Sequence, residues 1–172
     1  GEADVTEVPV DGNSMVNVEH LASVLTDRTA LVSVMYINNE VGSIQRLGDI
    51  AAAITAFRGN RFYPIFHTDA AQAARIVHCS PITLGVDVMT LSPHKAYGPK
   101  GVGVLYIKNT GIGWLDPILR GGGQEFGFRS GTENVAGIVG AAAALCTATQ
   151  NYDKERRSLE HIRAMMWEGI HK

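Results

Sequence analysis

The sequence predicts an α/β protein with a mostly parallel sheet flanked by helices. Three observations predict it. Short apolar, β-prone runs alternate along the chain with stretches of helical period, which is the pattern of βαβ units. Polar clusters recur at successive strand ends: Asn38-Asn39, then Asp69 with Gln72, then Ser92-His94-Lys95. In a parallel sheet such ends lie side by side on one edge, where open α/β folds bind ligands. The 172 residues, 45 % of them apolar, are enough for one domain with a real core.

Taken in order, Thr6 to Val10 reads as a short strand that Pro9 confines to an edge or an end. Asp11 to Ser14 is a turn. Val18 to Leu25 reads as a helix with Val18, Leu21, Ala22 and Leu25 on one face and Asn17 as its N-cap. Thr29 to Tyr36 is a buried strand. Leu47 to Phe57 is a second helix, closed by Gly59. Tyr63 to Phe66 is a strand leading into His67-Thr68-Asp69-Ala70-Ala71-Gln72, and Ser80-Pro81 breaks the chain before the strand at Val86. Val102 to Ile107 follows after a turn so short that an antiparallel return is expected. Gly121 to Thr132 is a long glycine-rich loop. Asn134 to Thr149 is a helix, and Asp153 to Ile170 another, rich in charge and half solvated.

Composition excludes several classes. The net charge is −2 with basic residues scattered, so there is no electrostatic footprint for nucleic acid. No apolar run is long enough to span a bilayer, and the Ala141 to Leu145 run is expected in the core. The start has neither the basic flank nor the apolar run of a signal peptide. Two cysteines without a C-x-x-C spacing fit a reducing compartment, with cytoplasmic localisation expected, or mitochondrial in a eukaryote. Cys146, among alanines, reads as a small buried hydrophobe.

The chemistry concentrates at Ser92-Pro93-His94-Lys95 and Tyr97-Gly98-Pro99-Lys100-Gly101, between two strand-length apolar runs. A lysine in a crowded, partly desolvated pocket has a lowered pKa and can attack an aldehyde. The spacing alone leaves a plain surface loop open as the alternative. Asp69 alone could be a helix N-cap for Ala70 to Arg75, and Asn39 a turn residue. Nucleotide motifs fail: Gly98 to Gly103 runs into Val104, not the Lys-Ser/Thr of a P-loop, and Gly111-Ile112-Gly113 lacks a third glycine. The spacings of His67, His78, Cys79 and His94 match no structural zinc pattern, and no metal is expected.

Four stretches together carry a resemblance: Val34 to Gly42, His67 to Gln72, Ser92 to Gly101 and Gly121 to Thr132. In this order they closely resemble the cysteine desulfurase and selenocysteine lyase family of pyridoxal-phosphate (PLP) enzymes, of aminotransferase class V and fold type I. The resemblance runs from about Asp4 to about Ile170. It implies that residues 1–150 are the central part of a PLP-binding large domain and that 151–172 lead toward a small domain. Lys95 then resembles the lysine that holds PLP covalently and later moves the substrate α-proton. Asp69 resembles the partner of the pyridine nitrogen. Gln72 resembles a donor to the cofactor's phenolic oxygen, and Asn39 a contact to that oxygen and to the substrate carboxylate. Ser92 and His94 resemble phosphate ligands. Thr132 resembles a threonine that reaches the phosphate of the neighbouring subunit, which implies a homodimer.

The implied reaction takes sulfur from cysteine, or selenium from selenocysteine, and leaves alanine. A sulfur-acceptor protein, as in iron–sulfur cluster assembly, is the implied partner. The family's phosphate-binding glycine/threonine loop, stacking histidine, nucleophilic cysteine and carboxylate-gripping arginine have no counterparts in these 172 residues, so the chain by itself is expected to be incomplete and inactive. Neither Cys79 nor Cys146 stands at the position of the nucleophile. Pro93, Arg46 and Arg75 depart from the family pattern without removing a cofactor contact. Another class V enzyme, an aminotransferase or a kynureninase relative, and a non-catalytic scaffold of the same fold remain as alternatives.

Overall fold

The structure is a computed structural model that describes residues 3–108 and 115–171. The Gly111-Ile112-Gly113 triplet lies outside them. Helix α1 spans Val18–Val24, and the Asn17 side chain accepts the His20 N–H at 2.8 Å, satisfying a donor that the first turn leaves over. Strand β1 (Leu31–Met35) leads to helix α2 (Leu47–Arg58), which buries Leu47, Ile50, Ala51 and Ile54 on one face. Gly59, at φ +54°, ends α2 in a conformation that side chains rarely adopt. Strand β2 (Ile65–Asp69), the short helix α3 (Pro81–Leu84) and strand β3 (Val88–Leu91) follow.

The sheet order is β1-β2-β3-β4, where β4 is Val104–Ile107. The first three strands are parallel and β4 is antiparallel to β3, as the short connection predicted. Residues alternate between the two sheet faces. Val32, Phe66 and Met89 point to the face covered by α1 and α2 and form the main core with Leu21, Leu47, Ile50 and Ile54. Phe66 and Met89 are fully buried, each worth about 1.5–3 kcal/mol of transfer free energy.

Several expectations are corrected. Thr6 to Val10 forms no strand. Only Val10 pairs, in a single bridge with Val16, and the Asp11 carboxylate ties the turn by accepting the Asn13 and Met15 N–H groups. The first strand is not buried on both faces, because Leu31 and Ser33 are exposed. The second starts at Ile65, after a proline with no N–H to donate, and runs on to Asp69. Ser80-Pro81 starts a helix instead of breaking the chain: Ser80 is the N-cap and Pro81 opens the first turn. Ala70 to Arg75 form turns, not a helix.

The largest correction is at the carboxyl end. Val135–Ile170 is one uninterrupted helix, α4, of 36 residues. Between Thr149 and Asp153 there is no Gly or Pro to stop it. The polar side chains there fold back onto it, Thr149 to the Leu145 carbonyl and Asn151 to the Thr147 carbonyl. Within the alanine run Ala141 is buried but Ala142 and Ala143 are exposed, and so is Cys146, contrary to its expected burial. The glycine-rich loop holds one 3-10 turn, Glu125–Gly127, in which Glu125 and Phe126 both have positive φ.

Candidate active site

Register brings the three parallel strand ends together. Met35 pairs with Asp69, and Asp69 with Thr90. Backbone bonds stitch the same rows, with Tyr36 N donating to Asp69 O at 2.8 Å and Ala70 N to Thr90 O at 2.9 Å. Each strand then delivers a different polar group to this edge.

After β1 the chain folds back on itself through the Ile37–Ile44 bridge. Asn38 accepts the Glu40 and Val41 N–H groups and so spends its carbonyl on the turn. Asn39 beside it is exposed, and its side-chain amide makes no hydrogen bond to another described residue. After β2, Asp69 accepts the Ala71 N–H at 2.8 Å through Oδ1, which leaves Oδ2 open. Gln72 is half-buried, with no hydrogen bond to another described residue.

After β3 comes Ser92 and then a 3-10 turn, Pro93–Ala96. Pro93 and Ala96 are buried and anchor the turn, while His94 and Lys95 are exposed upon it. The turn is closed by Lys95 N donating to Ser92 O at 3.0 Å and Gly98 N to Pro93 O at 2.8 Å. Gly98 is required by proximity: a Cβ there would lie 2.8 Å from the Pro93 carbonyl oxygen. Helix α4 backs the turn from behind. Its Gly137 and Gly140 let it approach Val102 and Pro99, with a Cβ on Gly140 only 3.3 Å from Pro99 Cγ.

The side chains of Ser92, His94 and Lys95 make no hydrogen bond or ion pair with other described residues. Thr132 is equally free but stands apart, on the exposed glycine-rich loop three residues before α4. The strand edge thus offers an amine, an imidazole, a hydroxyl, one open carboxylate oxygen and two amides. That set can hold an anionic group at one end and a protonated ring nitrogen at the other.

One group escaped the sequence reading. His67 Nδ1 lies 2.8 Å from Ser33 Oγ, and Nε2 lies 2.9 Å from Thr90 Oγ1. The imidazole thus joins β1, β2 and β3. Burial holds its pKa below the ordinary histidine value, and the Asp69 carboxylate opposes that only in part. The available signal was polar residues at period two, with Ser33, His67, Asp69 and Thr90 facing one side of the sheet. Cys79 is a poor nucleophile in this setting, because burial pushes its thiol up to about 12. Among the described residues no three His, Cys, Asp or Glu side chains gather as a metal site.

A mostly parallel sheet flanked by helices, with polar groups gathered at the carboxyl ends of its parallel strands, defines an α/β protein of the open-sheet class. The family model for aminotransferase class-V matches residues 1–172, and the chain belongs to that family. It is 43% identical over 166 residues to the cysteine desulfurase IscS of Clostridium botulinum, which covers 96% of this chain and 40% of that protein. It is 42% identical over 153 residues to the mitochondrial cysteine desulfurase of Drosophila melanogaster, covering 88% of this chain and 32% of that one. Among solved structures, a NifS-like protein superimposes with a TM-score of 0.90 at 38% identity, over 96% of this chain and 44% of that one. SspA in complex with cysteine superimposes with a TM-score of 0.74 at 34% identity, over 83% of this chain and 40% of that one. The chain therefore spans about 40% of the length of the curated relatives it matches. Among the described residues no helix is long and apolar enough to cross a membrane.

Proposed function

We propose that this chain is the PLP-binding core of a cysteine desulfurase, an enzyme that releases sulfur from cysteine and leaves alanine. Residues 1–150 would be the central part of its large domain, and 151–172 the stretch leading toward a small domain. One observation carries the reading. The side chains of Lys95, His94 and Ser92 have no hydrogen-bond or ion-pair partner among the described residues, on an anchored turn at the end of β3, and the adjacent β2 ends in a carboxylate with one oxygen open.

This donor set fits PLP. Ser92 and His94 would bind its phosphate, joined by Thr132 of a neighbouring subunit in a homodimer. Asp69 would accept a hydrogen bond from the protonated ring nitrogen through its open oxygen. Gln72 and Asn39 would donate to the phenolic oxygen, with Asn39 also within the substrate carboxylate's reach. Lys95 would hold the cofactor covalently and move a proton at its Nζ. When bound, PLP supplies the electron sink for chemistry at the substrate's α-carbon. The sulfur would pass to an acceptor protein, in the cytoplasm or the mitochondrion.

The test is to incubate the protein with PLP, reduce with borohydride and map the modified peptide by mass spectrometry. The expected label is on Lys95, and Lys95→Ala abolishes it. A label on another lysine, or none in a chain of the relatives' full length, overturns the reading. Sulfide and alanine released from cysteine, with no keto acid, separate a desulfurase from a class V aminotransferase.

A further inference from the structure

We propose that His67 is a positioning residue for the Asp69 carboxylate, acting as a strap that holds the three strand ends of the site in line through Ser33 and Thr90. The proposal deepens the PLP reading and rests on it for its functional consequence.

His67 and Asp69 are two residues apart on β2, so their side chains leave the strand on the same side. Ser33 is the β1 partner of His67, and Thr90 is the β3 partner of Asp69. The imidazole therefore makes one bond within its own row and one diagonal bond into the row of Asp69, at 2.8 and 2.9 Å. Both lengths are those of well-formed hydrogen bonds.

Parallel ladders do not fix the end of a strand by themselves. Beyond the last row the backbone is held only by single bonds, here Tyr36 N to Asp69 O and Ala70 N to Thr90 O. At that point the chain also leaves the strand for a run of turns, with Asp69 Oδ1 on the Ala71 N–H as its first tie. A rigid planar ring bonded to both neighbouring strands resists a sideways slip of this corner. Serine and threonine hydroxyls serve either tautomer of a neutral ring, since each can donate or accept. The strap thus sets where the open Asp69 oxygen points, and so how well it meets a ring nitrogen bound between it and the Lys95 turn.

Three variants test this: His67→Phe, which keeps a flat ring but makes no bond, His67→Gln, which keeps a donor and an acceptor, and the pair Ser33→Ala with Thr90→Val. Amide hydrogen exchange is followed at Ala70 and Ala71, with Leu21 in α1 as the distant reference. The PLP dissociation constant is read by absorbance titration on the same samples. We expect His67→Phe and the Ser33→Ala/Thr90→Val pair to speed exchange at Ala70 and Ala71 about tenfold with Leu21 unchanged. We expect the same two to weaken PLP about tenfold, and His67→Gln to recover most of both.

Exchange that rises equally at Leu21, or that does not change at Ala70 and Ala71, overturns the strap. Local exchange that rises while PLP affinity stays at the wild-type value overturns the positioning role. Wild-type protein of the relatives' full length that takes up no PLP would sink the cofactor reading instead, and the exchange data would still decide whether His67 holds the Asp69 corner.

Discussion

The Arg75 guanidinium lies over the ring of Tyr97, 5.0 Å from its centroid. Its Nε also sits 3.1 Å from Glu155 Oε2 on α4. One side chain thus ties the turns after β2, the turn that carries Lys95, and the long helix. Tyr97 itself sits at φ +65°, a left-handed conformation that costs a non-glycine residue about 1–2 kcal/mol. Arg75→Met should therefore lower the unfolding free energy by about 1 kcal/mol, the sum expected for a half-exposed cation–π contact and a partly screened ion pair. Glu155→Gln should remove less, because the ring contact survives. Urea unfolding of both variants checks the order.

At the opposite end of the sheet, Asp87 is a buried carboxylate, 6% exposed. It accepts from Arg58 Nη2 at 2.7 Å and from the Phe66 N–H at 2.9 Å. Arg58→Met would leave that buried charge with only the Phe66 N–H and the half-exposed Lys108 ammonium, 3.8 Å from Oδ1, so we expect a loss of about 3 kcal/mol, the low end for a broken buried pair. Adding Asp87→Leu should recover part of the loss, though not all, because the Phe66 N–H then goes unpaired. A double variant no more stable than Arg58→Met would argue against a stranded charge.

Gly137→Ala should destabilise the packing of α4 on the lysine turn. Alanine gains about 1 kcal/mol in helix propensity. The new Cβ would, however, stand 2.5 Å from Val102 Cγ2 and 2.6 Å from Asn134 Nδ2. Asn134 caps the helix by accepting the Gly137 N–H at 3.0 Å, so displacing it costs about 1 kcal/mol on top of about 1–3 for the overpacking. The net expectation is a loss of about 1–3 kcal/mol, relieved by Val102→Ala and visible in thermal unfolding.

The two thiols should separate in reactivity. Cys146 is exposed, whereas burial pushes the Cys79 thiol up to about 12. Iodoacetamide at pH 8 should label Cys146 and leave Cys79 nearly untouched in the folded protein. Burial also raises the Tyr36 hydroxyl, with smaller contributions from Cys79 and Tyr152.

Both raised groups link folding to alkaline pH with one sign. The folded state keeps a proton that the unfolded state releases, so stability is full below the unfolded value and falls as pH rises toward the folded one. For Cys79 that window runs from 9.0 to about 12, at a slope of at most about 1.4 kcal/mol per pH unit. Cys79→Ala should flatten it. Unchanged slopes in chemical denaturation across that range would contradict the burial of this thiol.

What could be read beforehand followed local rules. Asn17 before an apolar face, Gly59 after one, and a turn too short for a crossover each carry their structure in a few residues. Asn38-Asn39, Asp69 and the Ser92 to Lys95 stretch were legible as strand-end groups because parallel topology alone places such ends together. What failed depended on distant partners. Tyr152 is buried against His78, which keeps α4 running where charge had suggested a second helix. The hydroxyls of Ser33 and Thr90 become meaningful only once register sets His67 between them. The roles of Arg75 and of Glu155, 80 positions apart, had no local signature at all.

The unbroken α4 has a mechanical consequence. At about 1.5 Å per residue its 36 residues make a strut about 54 Å long. One end is seated by Gly137 and Gly140 against the turn that bears Lys95. The far end, around Trp167, projects with its apolar side chains exposed. With no glycine or proline kink between them, the helix works as a lever. Its free arm begins beyond the last ties to the body of the fold, Tyr152 against His78 and Glu155 on Arg75, and a load applied at the tip is felt as torque at those ties and, through Arg75, at the turn that carries Lys95.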